Sequence, residues 1–320
     1  MAEVQGESKT AVVAAVVANL VIAVVKFIAG SMTKSSAMLA EGIHSLVDCG
    51  NGALVLVGMK RSTAPPDAEH PFGHGKELYF WTFIVAISVF AIGGGMSVYE
   101  GISHLRHMSE TTITDPTVNY IVLAISLVVE GWSFFVAMKH FNAARGETGI
   151  MQFVRTAKDP SLFTVVFEDS AAMVGLVVAF LGVWLGHTFE NPVFDGAASI
   201  IIGLLLMGVA WGLARETKGL LVGEGVEPEL LTTMQAAVLA DEDVVQCGAI
   251  RSMYFGPTEL LVNLDVVFKP GMDGERIHDA ITRVEGAIQA TDSAVTRVYI
   301  EVESVKDLFA AGEAVTGRGE

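Results

Sequence analysis

Long apolar runs alternate with short polar connections through the first two thirds of the chain. Six of these runs approach the roughly 20 residues that a helix needs to cross a bilayer. The pattern therefore predicts a membrane α-helical bundle of six transmembrane helices, at about Thr10–Met32, Ser36–Met59, Glu77–Ile102, Thr117–Lys139, Ser161–Gly186 and Val193–Ala214. Asp159-Pro160 and Asn191-Pro192 are typical of a helix cap followed by a first turn, so they mark where the fifth and sixth helices begin.

The pattern changes at about Gly219, where shorter amphipathic and β-like stretches replace the apolar runs. Their order is helix, strand, strand, helix, strand, which predicts a small α+β domain with its helices on one face of a sheet. The predicted elements are Glu227–Ala240, Val244–Phe255, Glu259–Phe268, Asp273–Ala290 and Ala294–Val302. We therefore expect a short N-terminal segment at 1–9, a transmembrane domain at 10–218, an α+β domain at 219–306 and a disordered tail at 307–320.

Composition supports a membrane protein that also carries a soluble part. The chain is 52% hydrophobic and 18% charged, and its mean hydropathy is +0.51. The formal net charge is −16, and acidic residues crowd after Gly223, which argues against a nucleic-acid partner. Cys49 and Cys247 form no disulfide framework. Residues 1–10 resemble neither a secretory signal nor a transit peptide.

Lysine and arginine in the connections predict the orientation of the helices. Ten of these residues fall on one side if the N-terminus is inside, and only Lys34 and Arg106 fall on the other. We therefore expect a multi-pass protein of the inner (cytoplasmic) membrane with both termini in the cytoplasm. The inside residues are Lys9, Lys60, Arg61, Lys76, Lys139, Arg145, Arg155, Lys158, Arg215 and Lys218.

The second apolar run contains ionisable residues at one helical spacing. His44 and Asp48 are four residues apart and share a helix face, near which Glu41 and Asn51 also fall as supporting residues. Charged groups at membrane depth are costly and usually face a bundle interior or a water-filled cavity. An imidazole and a carboxylate at this spacing form half of a site for a divalent cation.

The fifth run supplies candidates for the other half, Glu168 and Asp169. Adjacent helix positions diverge by about 100°, so one of the two can bind an ion while the other forms hydrogen bonds. His44, Asp48 and Asp169 would give three ligands, and Glu168 or a water would complete a tetrahedron. The alternative is that these polar residues only satisfy one another across packed helices.

Other polar residues leave two readings open. In the connection after the second run, Asp67, His70 and His74 are spaced to bind a second ion, or they belong to a turn rich in Pro and Gly. Glu130 in the fourth run is either a packing partner for Lys26 or part of a proton path. The run Gly93–Gly95 favours close helix approach or bending over ligand binding.

These residues together resemble the cation diffusion facilitator family of divalent-metal/proton antiporters. The resemblance rests on Gly30–Asp48, on His70–Glu77, and on Asp169 with Gly175, and it covers nearly the whole chain. It implies six spans, then a small cytoplasmic metallochaperone-like domain that forms a homodimer. It also implies that His44, Asp48 and Asp169 hold the transported ion, and that Asp67, His70 and His74 form the family's loop site.

Two departures from the family pattern stand out. The usual histidine of the fifth span falls at Val165, so Glu168 is its natural substitute. The stretch around Glu168 resembles the branch of the family that includes the mitochondrial zinc transporter. The predicted strands of the α+β domain carry no histidine, and His278 on a helix is the domain's only one. We therefore expect this domain to dimerise without the usual zinc cluster.

The resemblance and the residues predict a transporter and not an enzyme. The expected activity is export of a divalent transition metal from the cytoplasm in exchange for protons. Zinc suits imidazole with carboxylate, while manganese, iron(II), cobalt and nickel stay open, and an oxygen-richer site through Glu168 would favour manganese. Two other classes remain: a membrane-bound metal sensor or scaffold without transport, and an exporter of organic cations.

Overall fold

The computed structural model describes residues 2–108 and 115–303, with side chains from Val17 onwards except those of Ala18 and Leu162. Two compact units divide the chain, one comprising residues 1–61 and 77–218 and the other residues 62–76 and 219–320. The first unit is a bundle of long apolar helices. Its helices are α1 (Ala2–Thr33), α2 (Ser36–Ser62), α3 (Glu77–Ser88), α4 (Gly95–Arg106), α5 (Thr117–Arg145), α6 (Ile150–Thr156), α7 (Pro160–Thr188) and α8 (Val193–Val222).

The spans predicted from the apolar runs are present as helices. Five stretches are long and apolar enough to cross a membrane: α2, α3 with α4, α5, most of α7, and α8. Within the side chains that are described, α1 contributes the shorter apolar stretch Asn19–Thr33. The chain is therefore a multi-pass membrane protein. Several helices extend beyond the predicted ends, because the apolar pattern marks the hydrocarbon core and not the last hydrogen-bonded turn.

The glycines of the third span allow a close approach to another helix, one of the two roles that the sequence predicted for them. A π-helical segment, Val89–Gly94, joins α3 to α4. A Cβ at Gly94 would lie 2.9 Å from the carbonyl oxygen of Gly203 on α8, and a Cβ at Gly203 would lie 2.7 Å from the carbonyl oxygen of Gly94. Only glycine permits so close an approach of two helix backbones.

Local signals placed the helix starts well. Asp159 caps α7 by accepting a hydrogen bond from the backbone N–H of Ser161 at 3.0 Å, with Pro160 in the first turn. Asn191 accepts from the backbone N–H of Val193 at 3.0 Å at the start of α8. The short helix α6 was not predicted, since seven residues carry too little periodicity.

The second unit contains the predicted α+β domain. Its elements are α9 (Pro228–Leu239), β1 (Val244–Gly256), β2 (Glu259–Phe268), α10 (Gly274–Gln289) and β3 (Val295–Val302), which confirms the order αββαβ. The sheet order is β1-β2-β3, with β1 antiparallel and β3 parallel to the central β2. Met234, Val284 and Leu264 are fully buried, so α9 and α10 pack against the sheet in one core. The tail predicted to be disordered, 307–320, lies outside the described residues.

Segment 62–76, the connection between α2 and α3, belongs to this second unit. Phe72 stacks on Phe255 of β1, with ring centroids 5.0 Å apart. The guanidinium of Arg297 on β3 lies over the Phe72 ring and donates to its carbonyl oxygen at 3.0 Å. Gly75 lies against the carbonyl of Phe255, where a Cβ would clash. The connection is therefore held on the sheet by an aromatic contact and a charged hydrogen bond.

Candidate metal centre

Helix α2 brings His44 and Asp48 together as the spacing predicted. Nε2 of His44 lies 3.5 Å from Oδ2 of Asp48, one turn along the helix. The His44 side chain is only 3% exposed. Among the described residues, neither ring nitrogen of His44 nor Oδ1 of Asp48 has a hydrogen-bond partner. Buried polar atoms are nearly always paired, so these unpaired atoms on two neighbouring side chains are available to a ligand.

Helix α7 directs its two adjacent carboxylates to different neighbours. Oε1 of Glu168 accepts a hydrogen bond from Nδ2 of Asn51 on α2 at 2.8 Å. Oδ2 of Asp169 accepts from Oγ of Ser133 on α5 at 3.1 Å. The divergence follows from the 100° step between successive helix positions. Glu168 is thus held towards the helix that carries His44 and Asp48, and Asp169 towards α5.

The carboxylates of α2 and α7 lie close enough to interact. Asp48 interacts electrostatically with both Glu168 and Asp169. Ligands of one zinc ion lie about 2.0–2.2 Å from it, so two ligand atoms on the same ion are at most about 4.4 Å apart. In the part of the chain that is described, His44, Asp48, Glu168 and Asp169 do not bring three ligand atoms to within 4.8 Å of one another. To share one ion, these side chains would therefore have to come closer together.

A buried ammonium lies beside this set. Nζ of Lys26 on α1 donates to Oε2 of Glu41 at 2.9 Å, to Oε1 of Glu130 at 2.8 Å and to Oγ of Ser45 at 2.9 Å. The contact between Lys26 and Glu130 was one of the two readings of the sequence. Its extension to Glu41 and Ser45 was missed, although Glu41 and Ser45 are four apart and therefore share a face of α2.

Asp195 at the start of α8 fixes the N-terminus of α2. Its carboxylate accepts hydrogen bonds from Oγ of Ser35 at 2.6 Å and from the backbone N–H groups of Ser36 and Ala37. A carboxylate at this position satisfies the free N–H groups of a first turn and complements the helix dipole. Nε2 of His104 on α4 lies 3.9 Å from the same carboxylate. This contact between distant segments was not predicted from the sequence.

The connection between α2 and α3 carries the second candidate centre. Asp67, His70 and His74 each offer a ligand atom, and these atoms all lie within 4.8 Å of one another. Oδ2 of Asp67 lies 3.1 Å from Nε2 of His74, and Oδ1 lies 3.4 Å from Nδ1 of His70. The backbone N–H of His70 donates to Asp67 and holds the pKa of that carboxyl below its ordinary value. The carboxylate is therefore ionised over the neutral range.

The fold and these clusters define a class: a polytopic membrane protein with metal-ligand types inside its bundle and a small α+β domain after it. Residues 12–222 match the family model of the cation efflux transmembrane domain. The chain belongs to the cation efflux, or cation diffusion facilitator, family. This confirms the family resemblance seen in the sequence.

Relatives share sequence over most of this chain. The mitochondrial proton-coupled zinc antiporter SLC30A9 of Xenopus laevis is 31% identical over 245 residues, which cover 76% of this chain and 44% of that protein. Metal tolerance protein C4 of Arabidopsis thaliana is 28% identical over 269 residues, covering 83% and 58%. The manganese efflux system protein MneP of Bacillus subtilis is 26% identical over 307 residues, covering 92% and 95%. The chain spans about half the length of the first two relatives.

Proposed function

We propose that the chain is a secondary transporter that moves a divalent transition metal across the membrane in exchange for protons. The observation that carries this proposal is the pair His44–Asp48, whose orphaned ligand atoms are buried inside an apolar bundle and interact with carboxylates of a second span. Ionisable groups placed at such cost in a span are typical of ion pathways. A transport role, and not catalysis, follows because this set offers ligands and no activated nucleophile.

The proposed transport site consists of His44, Asp48 and Asp169, with Glu168 as a fourth ligand. The hydrogen bond to Asn51 supports Glu168 in that role, since it fixes one carboxylate oxygen and leaves the other for an ion. The ligand atoms are spread wider than one ion allows. We propose that metal binding draws these side chains together and accompanies the movement of α2 against α7 that alternating access requires.

Proton exchange follows from the chemistry of these ligands. An imidazole or carboxylate binds a metal only when it is deprotonated, so metal binding releases protons. Protons from the opposite side then displace the ion, and return of the empty site carries them across. We propose that both termini face the cytoplasm, that the membrane is the inner membrane of a cell, and that the C-terminal domain forms a homodimer.

Zinc is the proposed cargo, because imidazole with carboxylates suits it. The name of one relative specifies zinc and that of another specifies manganese. Glu168 makes the site richer in oxygen than the usual family set, which favours manganese as the second candidate. Iron(II), cobalt and nickel are less well matched alternatives within the same mechanism.

Metal uptake into proteoliposomes under an imposed pH gradient tests the proposal. We expect uptake of zinc together with proton movement in the opposite direction, and loss of both in Asp48→Ala and Asp169→Ala. Asp115→Ala, which changes an exposed carboxylate in a connection, is the matched control and should transport normally. Normal flux in either site variant would refute the site. Flux of zinc without proton movement would refute the exchange.

A second candidate function is metal sensing without transport. The observation that favours it is the ligand cluster of Asp67, His70 and His74 on a segment that packs against the C-terminal sheet through Phe72 and Arg297. A sensor would show metal-dependent changes at these contacts with no flux in the same proteoliposomes. An exporter of organic cations would instead release protons with an organic substrate when no divalent metal is present.

A further inference from the structure

The ammonium of Lys26 is fully enclosed by side-chain oxygens. The residue is 0% exposed, and its three N–H groups are all used, by Glu41, Ser45 and Glu130. These acceptors come from α2 and α5, whereas Lys26 is on α1. Three oxygen atoms around one positive charge are typical of a cation-binding site. Here the cation is the ammonium of Lys26 and is part of the chain itself.

The carboxylates around Lys26 exceed what one ammonium needs. Glu41 and Glu130 are two carboxyl groups beside one ammonium. Among the described residues, Oε1 of Glu41 and Oε2 of Glu130 are buried without a hydrogen-bond partner. A purely structural buried ion pair is favourable only when its remaining lone pairs are satisfied. These unused oxygens are available to a second cation.

The cluster is electrostatically connected to the proposed transport site. Ser45 follows His44 directly, and Glu41 precedes it by one turn on the same helix. Asp48 interacts with Lys26 and with Glu130, and His44 interacts with Lys26. Charges in a medium of low dielectric constant act over longer distances than in water. The ammonium therefore reduces the negative potential that a divalent ion meets at Asp48.

We propose that Glu41, Ser45 and Glu130 form an oxygen-ligand cation site in which the Lys26 ammonium is the tethered cation. The attached ammonium keeps a metal ion out of this cluster, and its charge weakens the binding of a divalent ion at the neighbouring transport site, which favours release. Oxygen ligands without sulfur or imidazole select hard cations such as Mn²⁺ when the ammonium is removed. This inference rests on the proposed function only for the identity of the neighbouring site.

Manganese binding by the purified full-length protein tests the inference, with Mn²⁺ alone as the probe in equilibrium dialysis. Lys26→Met removes the charge and keeps the length of the stem. We expect it to bind one more Mn²⁺ per chain than the unsubstituted protein, and to bind the first one about tenfold more tightly. Lys26→Arg keeps the charge and should show the unsubstituted count. A folded Lys26→Met protein with unchanged count and affinity would overturn the inference.

Glu130→Gln removes a carboxylate from the cluster, where Lys26→Met removes the ammonium. It tests the role of Lys26 if Lys26→Met does not fold. With one carboxylate fewer, the ammonium is less compensated, so Mn²⁺ binding should weaken about tenfold. Lys26→Met/Glu130→Gln restores the formal charge of the cluster and should recover the original affinity. Unchanged binding in Glu130→Gln, or binding that stays weak in the double variant, would overturn the counter-ion role.

These binding counts are independent of transport. Failure of the unsubstituted protein to move any metal in proteoliposomes would defeat the proposed function, and the counts would still decide the role of Lys26. Metal bound at Asp67, His70 and His74 contributes equally to every variant and cancels in the comparison.

Discussion

Asn51 and Glu168 join α2 to α7 at the level of the candidate metal centre, through a hydrogen bond of 2.8 Å from Nδ2 to Oε1. Asn51 is itself buried. The bond fixes the orientation of the Glu168 carboxylate, which could otherwise adopt several rotamers in an apolar bundle. Helix α2 therefore carries the proposed ligand pair His44–Asp48 and also Asn51, which orients the proposed ligand Glu168 on α7.

Asn51→Ala should weaken metal binding, because Glu168 loses the group that orients it. Glu168→Gln removes the ligand itself, and unchanged metal affinity in that variant would make Glu168 a bystander. The double variant should show a coupling of about 0.5–3 kcal/mol in metal binding by isothermal titration. Strict additivity of the two changes would contradict the support that we assign to Asn51.

Gly175→Ala should disturb the Lys26 cluster from the side of α7. A Cβ at position 175 would lie 2.5 Å from Oε1 of Glu41, so the carboxylate would have to move. We expect a loss of about 1–3 kcal/mol in stability, measured as thermal unfolding in detergent, and slower metal uptake. Gly212→Ala is the matched control, since nothing lies within 4 Å of a Cβ there. Equal behaviour of the two variants would contradict this packing.

Val165→His should raise zinc affinity about tenfold or more, because it adds an imidazole one turn before Asp169 on the same helix face. Val165 is 42% exposed, so a larger side chain fits there. Val177→His, also on an exposed part of α7, is the control and should leave affinity unchanged. A zinc titration with the same midpoint in Val165→His and the original protein would count against the alignment of α7 with the ion.

The C-terminal domain should lose stability in acid through two aspartates. A hydrogen bond from Arg276 lowers the pKa of Asp243, and one from Arg283 lowers that of Asp241. A carboxyl with a lower pKa in the folded state stabilises the fold above its unfolded value of about 3.9. That contribution disappears as the pH falls through the folded pKa. The domain should therefore lose stability progressively below about pH 4 and open more often there.

Labelling of Cys247 measures this opening in the full chain. The thiol is buried, and burial raises its pKa to about 11, so it reacts slowly while the domain is folded. With Cys49→Ser as background, dithiodipyridine should label Cys247 rapidly below about pH 4. In Asp243→Asn, Cys247 should already be labelled about tenfold faster at neutral pH, since Arg276 and Arg283 lose the charged carboxylate that they share. The exposed Glu229→Gln is the control, and equal rates in both would refute the role of Asp243.

The sequence predicted elements better than it predicted contacts between them. Hydropathy and caps such as Asp159 placed the spans, because both signals are local. The pair His44–Asp48 was also predictable, since one helix fixes that spacing. The hydrogen bonds of Glu168 with Asn51 and of Asp169 with Ser133 were not, because they depend on how separate helices pack. The distances between the proposed ligand atoms of α2 and α7 were also not predictable, since spacing along a chain does not report distances across a bundle.

The contacts of Phe72 make the C-terminal sheet dependent on a piece of chain that lies far away in sequence. A fragment that begins at residue 219 would leave the ring of Phe255 bare and Arg297 without the carbonyl to which it donates. Such a fragment should self-associate in solution. Its solubility should increase when a synthetic peptide of residues 62–76 is added. The small domain is thus assembled from two separate stretches of sequence. A truncation at residue 219 would remove the first of them.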